Sequence, residues 1–539
     1  MSLETPVLPA DHRQASNPVA GLPVASAAGL VALGALGSRV LGLIREPTAA
    51  YYFGRAGATD SYFVASTLST LVYDLLVSGV VGAALIPVLS RVAARRDRDE
   101  LWDVASAIMT LACIVLAATT VALMVCAPAL VYVMQSGAPV EDRELTVLLA
   151  RVMMPTIFFL GLSAVGTATL YSIGRYSYGA LSVVCVNLGV VAGLVLLHRL
   201  GIVSAALGLL CGTMAQLGLQ IVGLVRARAR LRPRLLLRHP DVLQVGKLYA
   251  PVALSFVLTG ALTILDRNLY SHVGAGTLSA SQYATRLVQV PLGLVATALS
   301  MAILPTLSRY AADSDLGHYR RMVSTGIAFA TLLILPATVA LVVLRTPAVA
   351  LLFQRGHFSA ADTSITALAF LLYAPQMPFV AVDQVAIAAF YAMHDTRTPV
   401  IVMVVSGALY VVVALGFVAQ WGMAALILAS TLQNISHAVI LVWLLARRVG
   451  FGEERRLVTA MGRIIAAGAV MGAVCVVATW AVQAGLSISA SWQPLVTVVV
   501  AGGAGTLAYA VAVWVWRVPE AQLAWSVLQS RWRRAASHA

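Results

Sequence analysis

Charge is what this sequence lacks. Only 11% of its 539 residues are charged, while 60% are hydrophobic, and the mean hydropathy is +0.88. A soluble chain of this length carries about 25% charged residues, so a soluble multidomain protein is excluded. Lysine is nearly missing: Lys247 is the only one, and Leu248 follows it. There is no G-x-x-x-x-G-K-[ST] run, which argues against an ATP-driven pump. Cysteine is sparse. Cys113, Cys126, Cys185, Cys211 and Cys475 lie in apolar stretches with no C-x-x-C spacing, and read as small buried hydrophobes. The histidines form no H-E-x-x-H pair, so no metal site is expected. Paired carboxylates, a His cluster and a Ser/His pattern are all missing from the apolar segments, which speaks against an enzyme. No filter loop or ring of like residues points to a channel. Residues 1–21 lack the charged start and short apolar core of a signal peptide. They hold three prolines and several polar residues, and read as a disordered cytoplasmic tail.

What is present is apolar sequence in lengths that cross a bilayer, which takes about 20 residues as helix. Fourteen segments qualify: 22–44, 61–89, 103–133, 145–171, 177–198, 201–225, 242–271, 278–308, 322–344, 364–392, 399–419, 422–446, 460–483 and 492–516. None alternates as a membrane β-strand would. The chain therefore reads as an all-α polytopic membrane protein.

The net charge of +14 is a topology signal. Counting loops alternately from the N-terminus, 26 of the 36 basic residues fall on one side, with both tails. The positive-inside rule puts that side, and both termini, in the cytoplasm. A nucleic-acid partner is excluded by this distribution.

The chain also repeats itself. ALIPVLSR at 84–91 matches AILPTLSR at 302–309, an offset of 218. YSIGRYSYGALSVV from 171 resembles YAMHDTRTPVIVMVV from 391, and LGIVSAALG from 200 resembles WGMAALILA from 421, at offsets of 220 and 221. Six helices fit in that offset, so the copies share one orientation. Parallel repeats of this kind host a substrate path at their interface. The expected organisation is a tail (1–21), a first six-helix lobe (22–240), a second (241–450), an appended helix pair (451–516) and a basic cytoplasmic tail (517–539). A transporter with a central cavity follows.

Charges inside apolar segments are costly and mark function. Arg39, Arg45 and Glu46 lie near the end of the first segment. Asp266 and Arg267 are adjacent in the seventh, and Arg286 begins the eighth. These are the first elements of each repeat, so their charges converge if the halves face one another. Arginine suits phosphate, because its planar fork donates two parallel hydrogen bonds; an anionic, phosphate-bearing substrate is expected. The competing reading pairs each arginine with Glu46, Asp60 or Asp266, or lets it snorkel to the interface. For Arg39 the two readings stand level; for Arg55, Arg199 and Arg345 the structural one is preferred.

Seven stretches in order, SRVLGLIRE, ATDSYFVA, ALIPVLSR, YATRLVQVPLGL, AILPTLSR, FQRGHFSAAD and AFYAMHDTRTPV, resemble the MurJ (MviN) family of lipid II flippases in the MOP exporter superfamily. The resemblance spans about residues 25–450. It implies fourteen helices, two six-helix lobes and a final pair that makes a groove for a polyprenyl tail. It implies movement of lipid II, the undecaprenyl-diphosphate-linked peptidoglycan precursor, from the inner to the outer leaflet of the bacterial cytoplasmic membrane by alternating access. The implied drive is membrane potential or a gradient of Na+ or H+, with no cofactor, and the cell-wall synthesis machinery is an implied partner. The family's cavity arginines carry over to Arg39, Arg45 and Arg286 as substrate-binding residues, with Glu46 and Asp60 as acids for charge balance and gating.

This sequence departs from the family at LVYDLLVSG (71–79). Tyr73 and Asp74 replace an arginine pair, and Ser78 replaces an acid. Asp74 thus puts a carboxylate, a further charge-balancing group, where a phosphate contact is expected. Thr285 and Gln289 stand in place of acids in the eighth segment. Asp266 is the candidate for a cation site, although the eleventh segment has no matching Asn/Asp pair. Two alternatives stand beside lipid II. One is another polyprenyl-diphosphate-linked saccharide. The other is a cation-coupled small-molecule antiporter of the superfamily, which would need Asp266 and ignore Arg39 and Arg45. A non-transporting scaffold of a cell-wall complex is a third class.

Overall fold

The computed structural model describes residues 22–78, 85–94, 98–234, 240–313, 315–452, 454–485, 489 and 492–522. The N-terminal tail, most of the C-terminal tail and the side chain of Arg39 lie outside the described residues. Among these residues the structure is helical with no strand, as a chain must be when lipid cannot hydrogen-bond to its backbone.

The first half runs α1 (Leu22–Phe53), α2 (Gly57–Tyr73), a π-helical stretch (Asp74–Ser78), α3 (Ile86–Ala94), α4 (Arg98–Met134), α5 (Val140–Met153), α6 (Pro155–Ser172), α7 (Tyr176–Leu196) and α8 (Val203–Arg226). The second half runs α9 (Pro240–Val273), α10 (Thr277–Ala312), α11 (Leu316–Val343), α12 (Arg345–Phe353), α13 (Ala360–Tyr373), α14 (Gln376–Ala392), α15 (Arg397–Trp421) and α16 (Met423–Arg448). The last pair is α17 (Glu454–Gly485) and α18 (Gln493–Val515). Among the described residues nine helical spans are long and apolar enough to cross a membrane, α5 and α6 counting as one, or ten with the bent pair α13 and α14, roughly consistent with the fourteen expected segments, by which the passes are numbered.

Several boundaries differ from the sequence reading, each for a physical reason. Pro47 does not end α1, which continues to Phe53. The tenth pass is bent by 42° between α13 and α14, where Pro375 cannot donate to the helix ladder. The second pass changes from α-helix to π-helix at Asp74–Ser78. The eighth pass instead stays one helix through Pro291 and Pro305. Of the five cysteines expected to be buried, Cys475 alone is; Cys113 and Cys185 are half-buried, and Cys126 and Cys211 are exposed on the helix surface; in an apolar bilayer a thiol needs no burial.

The backbone repeats at the offset seen in the sequence. Positive φ recurs at Gly54 and Gly274, at Gly174 and His394, and at Gly201 and Gly422. Helix partners recur too: α1 packs on α7 and α7 on α8, while α9 packs on α15 and α15 on α16. In α7 and α8, Gly189 and Gly193 face Gly208 and Gly212. A side chain at Gly208 would meet the carbonyl of Gly189 at 2.6 Å. Small residues let the two backbones approach, which is how helices associate where no hydrophobic effect drives them together.

The halves meet tightly at one end, that of the turns after α1, α4, α9 and α12. Asp60 Oδ2 accepts from the N–H of Gly276 at 2.6 Å, and Oδ1 from the N–H of Ser279 at 2.7 Å. Arg55 Nε donates to Asp362 at 2.9 Å, and the N–H of His357 to the Tyr51 carbonyl at 2.9 Å. Asn268 donates to the Val133 carbonyl and to Ser136 Oγ, at 2.7 and 2.8 Å. Beneath them Phe63, Tyr283, Phe353 and Phe358 pack in edge-to-face and tilted pairs with ring centroids 5.1–5.8 Å apart. This end is sealed by hydrogen bonds above and aromatic rings below.

Candidate functional site

The arginine site lies just under that seal. Arg45 is eight residues before the end of α1 and Arg286 nine after the start of α10, so each sits about 12–14 Å down at 1.5 Å per residue. Glu46 joins them. Its Oε1 lies 2.6 Å from Arg45 Nη2 and 3.4 Å from Arg286 Nε. Asn187 on α7 orients Arg45: its Oδ1 accepts from Nη1 at 3.3 Å, while its Nδ2 donates to the Ser38 carbonyl and hydroxyl. Arg286 reaches Gln289 at 3.3 Å, yet its Nε makes no hydrogen bond.

Two guanidiniums thus share one carboxylate, which leaves a surplus positive charge. Glu46 is buried, with 9% of its side chain exposed, while Arg45 and Arg286 keep 23% and 42%. The cations remain reachable while the anion is withdrawn. Such a pair can hold an anion that brings more negative charge than Glu46 supplies, through the bidentate geometry guanidinium offers.

The other expected residues lie elsewhere. Asp60 contacts no arginine of this cluster; it caps the start of α10 from across the interface, as part of the seal. Asp266 pairs with Arg267 at 2.8 Å and accepts from Tyr410 at 2.6 Å, while Arg267 also donates to Thr67 at 3.2 Å. Both oxygens of Asp266 already have protein partners, and the adjacent guanidinium opposes a cation. Among the described residues no group of three or more His, Cys, Asp or Glu could hold a metal ion.

Asp74 lines a cavity of about 440 Å³ between the halves, farther from the seal. Leu71 and Asp74 come from the first half; Phe256, Thr259, Asp383, Met403 and His437 are among those from the second. Asp383 and His437 are 2.9 Å apart. Sequence reading missed this pair, and it missed Asn187. Each is a polar residue inside an otherwise apolar run, and that scarcity was the available signal. Beyond the cavity, the turn between α14 and α15 is anchored by Asp395. The N–H of Thr398, then its hydroxyl and the Arg448 guanidinium, hold this carboxyl down to about 2, against the opposing effect of burial.

Comparison with known proteins places this arrangement. The family model described as Lipid II flippase MurJ matches residues 49–493. A relative from Burkholderia cenocepacia, named lipid II flippase MurJ, is 28% identical over 372 residues, 67% of this chain and 72% of its own. One from Rhizobium meliloti, named probable lipid II flippase MurJ, is 28% identical over 462 residues, 82% of this chain and 84% of its own. Among solved structures, one described as lipid II flippase MurJ in an inward closed conformation superposes with a TM-score of 0.74 at 20% identity, covering 90% of this chain and 99% of its own. A multidrug resistance MATE family transporter of the MOP superfamily, inward-facing, gives 0.61 at 16% identity, covering 76% and 94%. These two likenesses speak to the fold.

Proposed function

The chain belongs to the lipid II flippase MurJ family, and from that premise we propose that it carries lipid II from the inner to the outer leaflet of the cytoplasmic membrane by alternating access. The family match across residues 49–493 carries this reading. It makes the chain a multi-pass inner-membrane transporter and not an enzyme.

The site supports a division of labour. Arg45 and Arg286 receive the diphosphate, with Arg39 as the third arginine of the set. In the substrate-free arrangement Glu46 holds both described arginines; an arriving diphosphate takes over their donors and releases Glu46. Because Arg45 belongs to one half and Arg286 to the other, that exchange changes what binds the halves together near the seal. The Asp60 contacts to Gly276 and Ser279 must then break for outward opening, which is the gating role assigned to this acid.

With both termini in the cytoplasm, the sealed end faces outward. The repeated φ pattern supports lobes at 22–240 and 241–450. The appended pair, 451–516, packs on the second lobe through Ile464, Ala467 and Met471 against Leu332, Leu335 and Val339, and would offer the polyprenyl tail its groove. Lipid II delivered outside would pass to the cell-wall synthesis machinery. The occupied oxygens of Asp266 disfavour sodium there, leaving membrane potential or protons as the drive.

A second reading, another polyprenyl-diphosphate-linked saccharide, is favoured by Asp74 standing where the family carries arginine. Binding separates the two. The purified chain in nanodiscs is titrated with lipid II and with undecaprenyl diphosphate bearing a different saccharide. Lipid II should bind more tightly, and Arg45→Ala or Arg286→Ala should each weaken it about 10- to 100-fold, the loss of a charge-assisted hydrogen bond worth about 1.5–3 kcal/mol. Tighter binding of the other saccharide would transfer the assignment to it.

A further inference from the structure

Asp383 on α14 and His437 on α16 take no part in the arginine site, yet they face each other inside the bundle with only 13% and 14% of their side chains exposed. An ionisable pair buried in a membrane protein needs a purpose. His437 Nδ1 lies 2.9 Å from Asp383 Oδ1, and its Nε2 lies 3.4 Å from the carbonyl oxygen of Pro399. A carbonyl oxygen can only accept, so a neutral ring, with one N–H, serves one of these two contacts, while an imidazolium serves both. The pair therefore has a place for one proton more than a carboxylate beside a neutral imidazole holds.

Loss of that proton has a structural consequence. The neutral ring keeps one N–H, which donates to Asp383 from Nδ1, while the Nε2 contact to Pro399 of α15 and the charge pairing with the carboxylate are lost. Loss of the proton therefore weakens what holds α16 to α14 and α15. These helices wall the 440 Å³ cavity whose opposite side is formed by Leu71 and Asp74 of the first half.

The surroundings favour proton exchange here. Asp74 and Tyr391 are the other titratable groups lining the cavity, with Thr259, Ser406, Gln433 and Asn434 as its polar residues. No arginine or lysine lines it among the described residues. Other charged and titratable groups on the packed elements lie outside the cavity lining: Asp266 with Arg267 and Tyr410 between α9 and α15, Arg286 of α10 with Glu46, Tyr373 of α13 with Ser281, Tyr319 of α11 on the Ala389 carbonyl, Arg320 of α11 beside Gly450 and Gly452, and Asp395 with Arg448 at the far turn.

We propose that the Asp383–His437 pair is a proton-binding site that couples transport to the proton gradient. One H+ binds while the site faces the acidic outer side and leaves to the cytoplasm when the site faces inward; no bond to substrate forms and nothing else is consumed. The proton site stands on its own geometry, while its link to lipid II rests on the flippase reading.

Two measurements on the full chain test this. In nanodiscs, a proton titration across the neutral range, with 15N-histidine spectra, should show one exchangeable proton in wild type that is lost in His437→Gln and shifted in Asp383→Asn. In proteoliposomes containing lipid II, with membrane potential clamped to zero, an imposed pH gradient should shift the leaflet distribution of lipid II by up to about tenfold per pH unit, the factor that one unit carries. His437→Gln and Asp383→Asn should still equilibrate lipid II but show no shift. Wild type that flips lipid II without responding to the gradient, or variants that keep the response, would overturn the coupling. If wild type moves no lipid II, the flippase reading fails; the titration then decides the site alone, and absence of a His437-dependent proton overturns it.

Discussion

Glu46 is the residue on which the arginine cluster turns. It is the described carboxylate within reach of both Arg45 and Arg286, so it competes with any anionic ligand for the same donors. Glu46→Gln should tighten lipid II binding several-fold, since roughly 1 kcal/mol of competing charge pairing is lost, while slowing release; equilibrium binding and single-turnover flipping would show the two effects separately. Asp60 offers a contrasting test. Its carboxylate accepts two backbone N–H groups across the interface, so Asp60→Ala should weaken the sealed state by about 1–3 kcal/mol, read as faster labelling of a cysteine placed under the seal. Arg45, Glu46 and Arg286 were legible in the sequence because charge is rare there. The use made of Asp60 was not, since no pattern shows that a carboxylate in one segment will cap a helix 216 positions away. Asp395 carries a pH signature. Its folded pKa of about 2 lies below the unfolded value near 4. Its contribution is therefore complete above about pH 4 and is lost as pH falls through about 2. The thermal stability difference between wild type and Asp395→Asn should shrink over that window.

Helices show which backbone positions the repeat depends on. Gly201 and Gly422 adopt φ of 63° and 53° with ψ of −152° and −128°, a region nearly closed to other residues. At Gly201 an added Cβ meets no atom within 4 Å, so Gly201→Ala isolates backbone strain. It should cost about 1–3 kcal/mol, measured as lower thermal stability in detergent with unchanged helix content. The LGIVSAALG and WGMAALILA match was legible as part of the repeat, and the shared backbone conformation gives that match its reason. Hydrophobicity alone did not foretell the 42° bend before α14 or the persistence of α1 through Pro47. Tertiary packing decides whether a proline kinks, ends or merely sits in a helix.

At the level of the whole molecule, two similar halves meet at a seal and diverge around a cavity, with the arginines just below the seal. Scarce charge revealed the membrane class, and a recurring offset of about 220 residues revealed the halves. The state of the interface was not readable, because opening and closing use the same sequence. Holding the seal shut should stop transport. With the native cysteines replaced, Arg55→Cys and Asp362→Cys joined by a short reducible reagent should abolish flipping, and reduction should restore it. The most direct measurement of the central claim is complementation in a bacterium depleted of its own lipid II flippase, comparing wild type with Arg39→Ala, Arg45→Ala and Arg286→Ala at matched membrane expression. The account predicts that wild type restores growth and that the Arg45 and Arg286 variants do not. A well-expressed wild type that fails to restore growth, or arginine variants that restore it fully, would contradict it.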